Sequence, residues 1–134
     1  MHYSTVIATA LLGLASAQKV HVVSVSSPNK DLAFHPDNLK AAVGDMIQFQ
    51  FLAGNHSVVQ SNFDNPCTPI QLHNTSQPGM FSGYMNVAAS AGTGMIPTYT
   101  MEVKSAGPLW LYCSQGKHCQ NGMVMVVNEK YAAA

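Results

Sequence analysis

After residue 18, apolar and polar residues alternate with a period of two along most of the chain, the mark of strands with one buried face. Val20, Val22 and Val25 form the first inward set. Ile47, Phe49 and Phe51 follow, separated by Gln48 and Gln50, and Tyr99, Met101 and Val103 make a third. Leu109, Leu111 and Cys113 share one face of PLWLYC, as do Met123, Met125 and Val127 in GMVMVVN. No later segment carries a long helical period, although Asn86 to Gly94 has room for a short helical turn. Pairs such as Pro28-Asn29, Pro36-Asp37, Gly54-Asn55, Gly107-Pro108 and Asn121-Gly122 cut the chain into short strands. The pattern predicts an all-β fold, an antiparallel sandwich or barrel of seven or eight strands. Residues 61–97, with Cys67, Pro66, Pro69 and Pro78, are expected to be a long crossover.

Residues 1–17 read as a signal peptide. Their apolar run from Val6 to Leu14 is too short to span a bilayer, and Ala15 and Ala17 supply the small residues needed before a cut. Residues 18–134 then form a single domain, secreted to an extracellular destination, free or associated with the cell wall, with no membrane span. Six Lys and no Arg against six Asp plus Glu leave a formal net charge of zero. That excludes the basic face that nucleic acid needs, and a polybasic membrane patch. A chain with so little charge stays in solution through Ser, Thr, Asn and Gln, and a glycan would help. Asn74-Thr75-Ser76 is a usable sequon, whereas Asn55-His56-Ser57 contains a candidate metal ligand.

Three Cys in an exported chain cannot all pair internally. The spare thiol needs burial or a metal. In YCSQGKHCQNGMVM, Cys113, His118 and Met123 are separated by four residues each time. Thiolate, imidazole and thioether together suit copper, which cycles between two oxidation states in a site of two imidazoles and one thiolate with a weak axial Met. Cys113 would close one strand and Met123 open the next, so that the intervening loop folds His118 back over the ion. A second imidazole must come from another strand at the same end. His56, after the Phe-rich strand and the turn at Gly54-Asn55, is the candidate. His21, His35, His73 and His2 are the competitors. With Cys113 on the metal, Cys67 and Cys119 are left to pair. Asn55 and Ser57 flank His56, and Asn55 is the better candidate for a hydrogen bond to the Cys113 sulfur, which would tune the ion from outside its ligand set. Trp110 and Tyr112, on the opposite face of their strand, read as packing residues.

CSQGKHCQNGM resembles the copper loop of the phytocyanins and of the fungal plastocyanin-like cupredoxins. GNHSVVQSNFDNPC is similar to the first-His segment of those proteins and the disulfide Cys after it, and the last two strands match as well. The likeness is closer to the fungal members. It implies a Greek-key sandwich, a type 1 (blue) copper ion held at His56, Cys113, His118 and Met123, and a Cys67–Cys119 bridge. The function expected is one-electron transfer to an unknown redox partner by a monomeric carrier that is not an enzyme, since such a site leaves no open position for substrate. Extracellular copper binding or buffering, with redox cycling incidental, is the alternative.

Overall fold

A computed structural model describes residues 18–130; the predicted signal peptide and the last four residues lie outside the described range. Two four-stranded sheets face each other. One has the order β2 (Phe34–His35), β1 (Val20–Val25), β4 (Met46–Phe51), β8 (Thr98–Glu102). The other runs β3 (Asn38–Leu39), β10 (Val124–Val127), β9 (Leu109–Tyr112), β6 (Val59–Ser61). A small ladder joins β5 (Asn55–His56) to β7 (Met85–Asn86).

The inward faces are those the alternation marks in most strands. Ile47, Phe49 and Phe51 are fully buried, with Gln48 and Gln50 between them only partly so. They pack against Leu111, Met125 and Val127 from the facing sheet, and Phe34 meets Phe49 edge to face with centroids 6.4 Å apart. Each such side chain contributes about 2 kcal/mol by leaving water.

Three expectations need correction. In β1 the buried residues are Val23 and Val25, while Val20 and Val22 are exposed. VHVVSV carries valine in both phases, and pairing along β4 selects the phase that puts His21, not Val22, on the side of Asp45. The sandwich is also not purely antiparallel: β1 runs parallel to β4 and β3 parallel to β10. The segments between those partners must therefore cross from sheet to sheet, which strand periodicity alone does not reveal. Finally there are ten strands among the described residues, the surplus lying in the two-residue β2, β3, β5 and β7.

Residues 61–97 do carry the chain from β6, the edge of one sheet, to β8, the edge of the other. They hold two short 3₁₀ turns, Ile70–Leu72 and Val87–Ser90, the second where the helical turn is expected. The Asn86 side chain caps that turn by accepting from the Ala88 N–H.

Candidate metal centre

Cys113 directly follows β9 and Met123 directly precedes β10, so the pairing of these two strands brings the ends of the loop together. The Cys113 N–H donates to the Met123 carbonyl at 3.1 Å, and the Met123 N–H to the His118 carbonyl at 3.0 Å. His118 in turn donates its N–H to Gln115. Gly122, at φ +104°, supplies a backbone conformation that residues with a side chain rarely adopt. The loop is thus tightly self-bonded, with the His118 ring turned back towards Cys113.

His56 arrives from β5, paired across to Met85. Its Nε2 packs against Gly54, where a Cβ would stand only 2.8 Å away. Gly54 leaves room for the ring, and Nδ1 is the nitrogen that faces Cys113. The Cys113 Sγ lies 3.7 Å from His56 Nδ1 and 3.5 Å from His118 Nδ1, and the two nitrogens are 3.1 Å apart. Among the described residues this is the group of His, Cys, Asp and Glu side chains whose donor atoms converge within 4.8 Å. Cys113 and His56 are buried and His118 is partly exposed. Burial, and then the neighbouring His118, holds the His56 pKa below the usual imidazole range. The neutral ring that results is the ligating form.

The competing histidines are engaged elsewhere: His21 with Asp45 at 2.9 Å, His35 with Asp31 at 2.6 Å, His73 with the Thr68 hydroxyl at 3.0 Å. His2 lies outside the described residues. Met123 is fully buried in the same apolar cluster as Cys113. One thiolate and two imidazoles, all reaching one point at the end of a sandwich, fit a copper ion by the softness and number of donors.

Cys67 and Cys119 are disulfide-bonded, with Cα atoms 5.6 Å apart, and Cys113 is the free thiol. The bridge ties the crossover to the residue after His118. Val59, Tyr112 and Cys119 form a small cluster beside it, and there burial pushes the Tyr112 phenol up to about 12. Tyr112 packs as expected, while Trp110 meets the exposed Phe63 with ring centroids 5.1 Å apart.

The hydrogen bond to the Cys113 sulfur comes from Ser57, not Asn55: the Ser57 N–H donates at 3.4 Å. Asn55 belongs to the β5–β7 ladder, and its Oδ1 is buried without a partner, whereas Ser57 lies past the end of that ladder with its N–H free to turn inwards. The Ser57 hydroxyl accepts the Ser114 N–H at 2.9 Å and shares a 2.7 Å hydrogen bond with the Ser114 hydroxyl. Ser114 Oγ donates to Tyr84 Oη at 3.1 Å, and Tyr84 Oη donates back to the Ser114 carbonyl at 3.4 Å. This chain of hydroxyls fastens the segments carrying His56 and Cys113 to one another and to the crossover. Ser57 and Ser114 each follow a ligand candidate, the one signal by which sequence could have found them; Tyr84, thirty residues from Ser114, carries none. Asn74 is exposed just after the first 3₁₀ turn.

The fold matches those of known proteins. A purple cupredoxin from Nitrosopumilus maritimus superposes with a TM-score of 0.56 over 80% of this chain and 96% of that one, at 17% identity. The fold is that of the cupredoxins. Two proteins of the fungus Arthroderma benhamiae resemble this chain in sequence. One, an extracellular serine-rich protein, is 38% identical over 94% of this chain and 45% of its own length. The other, a probable GPI-anchored cupredoxin, is 35% identical over 89% of this chain and 55% of its own. The chain therefore spans about half the length of the relatives it matches. No family model matches it. Among the described residues, no helix is long and apolar enough to cross a membrane.

Proposed function

We propose that this chain is a secreted type 1 copper protein that carries single electrons, in which His56, Cys113 and His118 would hold the ion and Met123 would offer a thioether as a fourth ligand. The observation that carries the reading is the convergence of a buried thiol and two imidazole nitrogens at 3.1 to 3.7 Å. Copper, when bound, supplies the exchange of one electron between two oxidation states. The protein's part is to keep its donors still. Cys113 sits at the end of β9, the Ser57 N–H bonds its sulfur, and the Ser57–Ser114–Tyr84 chain restrains the backbone on both sides. His118, partly exposed, gives an electron a short route to the surface, while the burial of His56 and Cys113 keeps water from the sulfur.

The extracellular and GPI-anchored names of the two fungal relatives support a secreted or wall-associated setting. Residues 1–17 would be the leader. The expected partner is another one-electron protein or a small reductant.

The test is a redox cycle on the copper-loaded protein by stopped flow, with ascorbate as reductant and ferricyanide as oxidant. Electron carriage predicts rapid, complete and repeatable reduction and reoxidation. Tight copper binding with no exchange on the timescale of minutes would replace this reading with copper buffering.

A further inference from the structure

Away from the metal centre, a groove of about 1170 Å³ opens where the edge strands β6 and β8 of the two sheets face each other. None of His56, Cys113 or His118 lines it. Its walls carry rings, Phe63, Trp110 and Tyr99, beside the amide side chains of Gln60 and Asn62, and Asn74 stands among the lining residues. Phe63 is 69% exposed and leans on Trp110. No Asp, Glu, Lys or Arg occurs between Asp64 and Glu102, so most of the crossover bordering the groove is uncharged. Asp64, Glu102 and Lys104 also line it, and a wide cleft of rings and amides beside a few charged groups suits a ligand that has both C–H faces and hydroxyls, which is the chemistry of a sugar chain.

Asn74 also begins the sequon Asn74-Thr75-Ser76. Its side-chain oxygen accepts from the Ser76 N–H at 3.2 Å and from the Ser76 hydroxyl at 2.6 Å, which leaves the amide nitrogen on an exposed turn. The other formal sequon differs on both counts: Asn55 Oδ1 is buried and Ser57 is fully buried within the metal centre.

We infer that Asn74 carries an N-linked glycan whose first sugars lie in this groove and cover Phe63 and Trp110. In the transfer, Asn74 Nδ2 forms a bond to C1 of the reducing-end sugar of a lipid-pyrophosphate-linked oligosaccharide. The bond from that carbon to the pyrophosphate oxygen breaks, the lipid pyrophosphate leaves, and the amide gives up one proton. A glycan tethered at the groove's own rim binds without the translational entropy that a free saccharide loses, so weak stacking on two rings suffices to hold it. The inference rests on the secreted setting proposed above, because the transfer occurs on chains entering the secretory route.

Expression of residues 18–134 behind a heterologous leader in a eukaryotic secretion host separates this inference from the leader assignment. Entry no longer depends on residues 1–17, and parallel expression of the chain with its native leader tests secretion alone. Peptide mapping after peptide-N-glycosidase treatment should find a glycan at Asn74 and none at Asn55. Trp110 is the only Trp, so its emission reports on the groove. Removing the glycan from the folded protein should move that emission to longer wavelength and increase quenching by acrylamide, and Asn74→Gln should match the deglycosylated form. Secreted protein with Asn74 unmodified would overturn the inference. Modification with Trp110 indifferent to deglycosylation would overturn the placement in the groove.

Discussion

The loop from Cys113 to Met123 and the crossover from 61 to 97 are both irregular, and they are built to opposite rules. In the loop, backbone donors at Cys113, His118, Asn121, Gly122 and Met123 are satisfied within the loop itself, and its ends are clamped by paired strands. The crossover is long, uncharged over most of its length, and leaves Phe63, Leu72, Phe81, Tyr84, Met95 and Ile96 largely exposed. The short loop holds ligands because little of it can move, whereas the crossover is tied to the site through Cys67, Tyr84 and the β5–β7 ladder and presents much exposed apolar surface elsewhere. Rigidity at the site thus depends on which backbone groups find partners, not on regular secondary structure.

The strongest link between the two regions is the disulfide. Replacing both Cys67 and Cys119 by Ser should lower unfolding free energy by about 4 kcal/mol, the loop-closure entropy for a separation of 52 residues, read from urea unfolding. A loss below about 1 kcal/mol would mean that the crossover is restrained without it. Next comes the hydroxyl clamp. Ser57→Ala removes the acceptor of the Ser114 N–H in a buried setting and should cost about 1–3 kcal/mol, with faster hydrogen exchange at Ser114. Unchanged protection there would show that the loop needs no support from the segment after β5. Tyr84→Phe removes hydrogen bonds at an exposed position and should cost less, about 0.5–1 kcal/mol. If it equals or exceeds Ser57→Ala, the crossover matters more to the loop than the serine pair does.

A smaller, pH-limited effect lies at Asp45, just before β4 and outside both regions. The hydrogen bond from His21, and then the N–H groups of Ala42 and Lys19, hold the Asp45 carboxyl below the usual carboxylate range. Its pKa is lower folded than unfolded, so its stabilising share is complete above the ordinary carboxylate pKa and is lost as pH falls through the depressed value. The stability gap between the native protein and Asp45→Asn should therefore narrow on acidification below that ordinary range. A gap that widens there would contradict the assignment.

Much of this was legible in the sequence because it is local. The spacing of Cys113, His118 and Met123 fixes a loop between two alternating strands, and the odd cysteine count isolates one thiol. The parts that were not legible depend on distant pairing. Val22 and Val23 are equally apolar, and only the register of β1 on β4 decides which is buried. The donor to the Cys113 sulfur depends on where the β5–β7 ladder stops, which favours the backbone of Ser57 over the more conspicuous Asn55. Tyr84 reaches Ser114 only because the crossover returns past the end of β9.

The central claim is that His56, Cys113 and His118 form a copper site with a thiolate at its centre. Its most direct test is a Cu(II) titration of the purified domain followed by visible absorption, alongside Cys113→Ser. One equivalent of copper should produce an intense thiolate-to-copper charge-transfer band in the native protein and none in the variant. A colourless native complex, or a band that survives loss of the Cys113 sulfur, would contradict the account.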